Sequence, residues 1–256
     1  MNEYHYEGFI VKELNYFDYK NLVKKLLTTD IEVINVIFNE LFNSCLISDK
    51  KYNALDKFKL ILFIRSLILG EDIQINYKKR NYNLDVTTIL KDANIYEKDI
   101  ETDCFVLNNF TSFYIKDIGE EIIKNLKILK INNKEINLEK FSFEEKQKIF
   151  NEITDVNIVD LYNQSLKDLK NNKIKFLDLD INLHNGDLLN VLKHIFNYDL
   201  NSLYDFEYSL MRHLNFTSNE FKNYSFSELK LLHNKLKDEM KEQNKDDNPG
   251  IPTQHK

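Results

Sequence analysis

Two aspartates, Asp178 and Asp180, form the acidic pair whose spacing could support chemistry in this chain. Residues two apart point to the same face of a β-strand, so the two carboxylates could bind a divalent cation through oxygen ligands. We find no histidine or third acid at a spacing that would complete such a site. The alternative is the solvent-exposed face of a half-buried strand, with Phe176, Leu177, Leu179 and Ile181 in the core. We favour that alternative, and a metal-dependent enzyme using these two residues is the least favoured function.

The other residue types used in catalysis show no productive spacing. None of the six histidines makes an HExxH or other paired ligand spacing. The two cysteines, Cys45 and Cys104, are far apart and indicate free thiols in a reducing compartment rather than a zinc site or a disulfide. With five glycines in the whole chain, a Gly-rich nucleotide-binding loop is nearly excluded. We therefore expect no enzymatic activity, no cofactor and no metal.

The composition is that of a globular protein with a substantial core. Of the 256 residues, 43% are hydrophobic, and 14 Tyr and 18 Phe exceed what a disordered chain would contain. The net charge of −6 argues against nucleic acid as a partner, because phosphate binding needs a basic surface. The longest apolar run, residues 60–69, is too short to span a bilayer and contains Arg65. The N-terminus does not resemble a signal peptide, so we expect a protein made in the cytosol.

Helical periodicity covers both ends of the sequence. It predicts helices at about 18–27, 31–42, 55–69, 142–153 and 156–169, and further helices after residue 185. The third helix is apolar nearly all round, which is typical of a helix at the centre of a domain, and Gly70 should end it. We expect Arg65 on that helix to reach the surface or an acidic partner.

Alternating patterns occupy the middle of the chain. They predict strand pairs at 73–77 with 82–86, 104–107 with 110–115, and 128–131 with 135–138, and a strand over 174–183. The predicted fold class is therefore α+β. Antiparallel hairpins should form the centre, with N-terminal and C-terminal helices packed on them.

A stripe of aromatic residues stands out in the segment 195–216. Apolar and aromatic side chains recur there at helical spacing, and they are too numerous for a single buried face. Core packing should account for about half of them, and partner contact for the rest, because Tyr and Met are favoured at protein–protein interfaces. The candidate partner-binding residues are Tyr198, Tyr204, Phe206, Tyr208 and Met211.

Several stretches of the sequence resemble a known family. They are Asp56-Lys-Phe-Lys-Leu-Ile-Leu-Phe-Ile-Arg-Ser-Leu-Ile-Leu-Gly70, Ile195-Phe-Asn-Tyr198, Leu203-Tyr-Asp-Phe-Glu-Tyr208 and Phe226-Ser-Glu-Leu229. This pattern is similar to the T4-type bacteriophage baseplate hub and hub assembly proteins. The similarity spans roughly residues 50 to 240.

The resemblance implies a role in building the hub of a contractile-tail baseplate. The expected partners are other tail hub proteins, and the expected location is the host cytoplasm during virion morphogenesis, with the mature baseplate as a further possibility. A stable structural subunit of the virion is the alternative to an assembly factor. The implied organisation is an N-terminal helical extension over 1–50, a hub-like α+β domain over 51–242 and a disordered tail over 243–256.

Overall fold

The computed structural model describes residues 2–28, 30–50, 52–77, 80–91, 99–132, 134–153, 155–176, 179–196 and 199–246. The α-helices are α1 (Tyr16–Thr28), α2 (Ile34–Cys45), α3 (Ala54–Leu69), α4 (Val86–Lys91), α5 (Ile118–Asn125), α6 (Phe143–Asn151), α7 (Asp155–Asn171), α8 (Asp187–Ile195), α9 (Leu200–Leu214) and α10 (Phe226–Asp246). The strands are β1 (Glu3–Tyr6), β2 (Phe9–Lys12), β3 (Asp72–Tyr77), β4 (Arg80–Asp85), β5 (Ile100–Glu101), β6 (Phe105–Leu107), β7 (Leu126–Ile131), β8 (Lys134–Asn137), β9 (Lys173–Phe176) and β10 (Leu179–Asn182). The predicted α+β class is confirmed.

The described strands form antiparallel sheets. Three are two-stranded hairpins, β1–β2, β3–β4 and β9–β10, and the fourth has the order β5-β6-β7-β8. The predicted pairings of β3 with β4 and of β7 with β8 are confirmed. The single strand predicted over 174–183 is wrong, because its two ends pair with each other as β9 and β10.

The strand predicted over 110–115 is also wrong, and a side chain explains why. The Asn35 side chain of α2 binds this segment as a neighbouring strand would. Its Oδ1 accepts a hydrogen bond from the Phe113 backbone N–H at 2.7 Å, and its Nδ2 donates to the Tyr114 carbonyl at 2.9 Å. With these backbone groups satisfied by α2, the segment runs as an irregular connection between elements.

Helix α3 is buried over most of its surface, as predicted for a helix that is apolar nearly all round. It begins with a capping box, in which Asn53 accepts from the Asp56 N–H and Asp56 accepts from the Asn53 N–H. Gly70 ends it with φ at 88°, a conformation that favours glycine. The prediction for Arg65 is wrong. This side chain is buried, and its guanidinium donates to the backbone carbonyls of Gly70, Asp72 and Ile195.

Two clusters of buried side chains form the core. The larger one joins α1, α2 and α3 to α8, α9 and α10, and the smaller one lies between β5–β7, α5 and α7. The segment 108–115 connects them, since Phe110 belongs to the smaller cluster and Phe113 to the larger. None of the described helices is long and apolar enough to cross a membrane.

The two ends of the chain bear on the predicted organisation. Residues 2–50 contain the unpredicted hairpin β1–β2 as well as helices, and they contribute to the larger core cluster. Helix α10 continues through Asp246, four residues beyond its predicted end. The rest of the predicted tail, 247–256, lies outside the described residues. The division at residue 50 stays a prediction.

Candidate functional site

Helix α9 carries four of the five residues predicted to bind a partner. Asp199 caps its first turn by accepting a hydrogen bond from the Asn201 N–H at 3.1 Å. Asn215, in the left-handed region at φ 56°, ends it. Between these ends, the helical period places Leu203, Phe206 and Leu210 on the buried side. The fifth predicted residue, Tyr198, lies outside the described residues.

The aromatic stripe is divided between core and surface. Phe206 is buried among other rings, with its centroid 5.6 Å from that of Tyr16 and 5.5 Å from that of Phe226. Tyr204, Tyr208 and Met211 retain 47%, 63% and 42% of their surface exposed. Phe206 is therefore a core residue, whereas the other three form an exposed stripe at helical spacing.

Side chains of α1 extend this exposed stripe. The Lys20 ammonium lies 4.1 Å from the centroid of the Tyr204 ring and 2.6 Å from Oε2 of Glu207. Phe17, three residues before Lys20 and 40% exposed, has the Lys222 ammonium 5.1 Å from its ring centroid. We call Phe17, Lys20, Tyr204, Tyr208 and Met211 the α1–α9 face.

Sequence reasoning missed the α1 part of this face. The available signal was that Phe17 and Lys20 fall outside the apolar stripe of α1, whose buried members are Tyr16, Tyr19, Leu22, Val23 and Leu26. An aromatic residue beside a lysine on the outer side of a helix is unremarkable in sequence. The functional interest of this pair comes from α9, which places the Tyr204 ring against the Lys20 ammonium.

The structure describes one residue of the predicted acidic pair. Asp180 is exposed on β10, opposite Lys175 of β9, and Asp178 lies outside the described residues. Among the residues that the structure describes, there is no group of three or more His, Cys, Asp or Glu side chains that could hold a metal ion. The metal-dependent hypothesis gains no support from this hairpin.

A polar cleft is a second feature that the sequence did not reveal. It has a volume of about 820 Å³ and is lined by α2, the connection to α3, the first turns of α3 and the segment 108–112. Seven described asparagines line it. Three of them, Asn39 and Asn43 on α2 and Asn108 on the opposite side, have no side-chain hydrogen bond to any described residue.

Lys57 is the buried cation of this cleft. Its side chain is 4% exposed, and its ammonium lies 5.3 Å and 5.7 Å from the ring centroids of Phe113 and Tyr52. Burial lowers the pKa of Lys57 to about 8, and the nearby Glu121 carboxylate partly opposes that change. The ammonium forms no hydrogen bond or ion pair with a described residue.

A buried polar network lies next to Lys57. Oε1 of Glu121 accepts hydrogen bonds from the Ser112 hydroxyl at 2.6 Å and from Nδ2 of Asn125 at 3.3 Å. Nδ1 of His184 donates to the Ser112 carbonyl at 2.6 Å, so its Nε2 accepts from Nδ2 of Asn172 at 2.9 Å. Burial lowers the pKa of His184 to about 4, and the Lys57 charge acts in the same direction. These bonds hold a neutral imidazole.

Comparisons of the chain with protein-family models, curated proteins and solved structures found no match.

The chemistry of the two surfaces differs. The α1–α9 face offers exposed aromatic rings and a thioether around an ordered ion pair, which suits contact with another protein. The polar cleft offers a buried cation and unpaired primary amides, which suits a ligand with an anionic group and further hydrogen-bonding groups.

Proposed function

We propose that this protein takes part in assembling the hub of a contractile-tail phage baseplate, and that it acts by binding other tail proteins. The resemblance of α3, α9 and the start of α10 to the T4-type hub family supports the biological setting. The observation that carries the mode of action is the exposure of Tyr204, Tyr208 and Met211 together on α9.

Two physical properties make this face suitable for a partner. Tyrosine rings supply large contact area for few rotatable bonds, so ordering them on binding costs little entropy. Lys20 is already positioned by the Tyr204 ring and by Glu207, so its long side chain has less freedom left to lose. The face is therefore partly organised before any partner arrives.

A triple variant tests this proposal. Tyr204→Ser, Tyr208→Ser and Met211→Ser together remove the exposed apolar side chains of the α1–α9 face that α9 contributes, whereas the buried side of the helix is unchanged. The matched control is Val159→Ser with Tyr162→Ser, which removes two apolar side chains of 55% and 40% exposure from α7. Both variants should remain folded at the temperature of the binding assay, which circular dichroism can check.

Affinity purification from phage-infected cells, followed by mass spectrometry, gives the functional readout. The original protein and the α7 control should recover baseplate hub proteins, and the triple variant should lose them. Recovery of no tail protein by the original chain would refute the setting. Equal recovery by the triple variant would refute the face but not the setting. Mass spectrometry of purified virions then separates an assembly factor, absent or substoichiometric, from a stable structural subunit.

A further inference from the structure

The polar cleft contains a buried cation, Lys57, that has no direct ion pair with a described residue. Removing an ammonium from water costs several kcal/mol unless a partner compensates it. The Glu121 carboxylate acts on Lys57 through its charge, but its Oε1 accepts from Ser112 and Asn125, and it forms no direct ion pair with the lysine. With a pKa of about 8, Lys57 is mostly protonated at pH 7. The fold therefore keeps a cation buried beside an open cleft, and no carboxylate of a described residue forms a direct ion pair with it.

The free amides of the cleft indicate what else a ligand would carry. Asn39 and Asn43 are four residues apart, so they lie one above the other on α2, and Asn108 faces the cleft from another element. A primary amide presents one donor and one acceptor group, which match the C=O and N–H of a peptide unit. The neighbouring Asn35 already binds the backbone of residues 113 and 114 in this manner.

The net charge of the side chains that line the cleft favours a ligand with little charge of its own. Three aspartates, Asp49, Asp56 and Asp99, and two lysines, Lys50 and Lys57, line the cleft, which gives a formal charge of −1. A polyanion such as nucleic acid would be repelled by this lining. A single carboxylate on an otherwise neutral chain would meet Lys57 with little repulsion.

We propose that the polar cleft binds an extended peptide segment of a protein partner, anchored by one carboxylate on the Lys57 ammonium. The carboxylate belongs either to an acidic side chain or to a C-terminus, and Asn39, Asn43 and Asn108 bind the adjoining peptide groups. This site is separate from the α1–α9 face and does not depend on the baseplate setting.

Peptide probes with defined charge test the proposal. The acidic side chain is represented by Ac-Gly-Asp-Gly-NH2, the C-terminus by Ac-Gly-Gly-Gly-OH and the neutral control by Ac-Gly-Asn-Gly-NH2. Binding is measured by protection of Lys57 from reductive methylation, with the modified residue identified by mass spectrometry, and by chemical-shift changes in NMR spectra. At least one carboxylate probe should bind about tenfold more tightly than the neutral probe, as expected for a hydrogen bond to a charged group.

Two lysine variants separate Lys57 from the general charge of the cleft. Lys57→Met should abolish the preference for the carboxylate probes. Lys50→Met is the matched control, since the Lys50 ammonium donates to the Glu7 carbonyl at 2.8 Å and lies 4.2 Å from the Phe9 ring centroid. It should keep the preference within about twofold of the original value.

Three results would overturn the proposal. The first is the absence of protection by both carboxylate probes at about 50 mM, beyond the range of even weak specific binding. The second is equal loss of the preference in Lys50→Met and Lys57→Met. The third is stronger protection by inorganic phosphate than by either peptide, which would assign the cleft to phosphate instead. The triple serine variant of α9 should bind the probes normally, so failure of one proposal leaves the other intact.

Discussion

Replacing Lys57 by methionine should raise the free energy of unfolding at pH 7. Methionine keeps the length and the apolar stem of the side chain, and it removes the charge that burial penalises. A residue that serves binding rather than stability is expected to destabilise the fold in this way. The substitution thus tests whether burying the Lys57 ammonium in the polar cleft lowers the stability of the protein.

The size of the effect follows from the pKa of Lys57. Burial lowers it from 10.5 to about 8. Each pKa unit corresponds to about 1.4 kcal/mol, so the charged form destabilises the folded protein by about 3 kcal/mol below pH 8. Solvent in the open cleft weakens this penalty, and we expect a gain of about 1–3 kcal/mol in Lys57→Met.

The pH dependence gives the prediction its direction. Between pH 8 and 10.5 the unfolded chain keeps the proton of Lys57 and the folded protein releases it, so unfolding takes up a proton. The original protein should therefore gain stability relative to Lys57→Met as the pH rises through this window. The advantage of the variant should be complete below pH 8 and should disappear by about pH 10.5.

Urea denaturation at pH 7 and at pH 10, followed by circular dichroism, measures both quantities. Lys116→Met is the control, because Lys116 is 74% exposed and its replacement should change the free energy of unfolding by at most about 0.5 kcal/mol. A loss of stability in Lys57→Met at pH 7 would show that the ammonium stabilises the fold through its ring contacts. A gain that is the same at both pH values would show that charge is not its cause.

Three further predictions concern the core and its polar network. Between pH 6.5 and 4 the unfolded chain binds a proton on His184 and the folded protein does not, so the folded protein loses stability as the pH falls. Urea denaturation over this range should show the free energy of unfolding of the original protein falling by about 3 kcal/mol relative to His184→Gln. The same pH dependence in both proteins would contradict this prediction. Gly70→Ala should lower the free energy of unfolding by about 1–3 kcal/mol in the same assay. The cause is backbone strain at positive φ, since an added Cβ would meet no atom within 4 Å. An unchanged denaturation midpoint would show that the positive φ of Gly70 carries no such strain. Phe206→Ala should lower the free energy of unfolding by about 3–5 kcal/mol, and Tyr208→Ala by at most about 0.5 kcal/mol. Equal losses of stability in thermal unfolding would refute the division of the aromatic stripe between core and surface.

The two proposed sites make different demands on the protein. The α1–α9 face costs the fold little, because single exposed apolar side chains are normal on protein surfaces. The polar cleft does cost stability, because burial of the Lys57 ammonium outweighs the favourable charge of Glu121. Measuring stability and binding on the same variants therefore shows whether each surface serves binding.

Local signals in the sequence determined most of the elements. Capping boxes begin two helices, one formed by Ser142 and Glu145 and the other by Ser225 and Glu228, and each needs only two residues three positions apart. Gly70 ends α3, and two of the predicted hairpins pair as expected. These features depend on residues that are close in the sequence, so local patterns are enough to predict them.

Contacts between distant parts of the chain decided the rest. The period of α9 identifies a helix with two faces, but the rings of Tyr16 and Phe226 decide that Phe206 is the buried one. The segment 110–115 alternates like a strand, yet it binds a side chain of α2 instead. Burial of Lys57 likewise depends on residues from other elements. Burial is a property of the assembled surface, and no local pattern can fix which polar side chain it encloses.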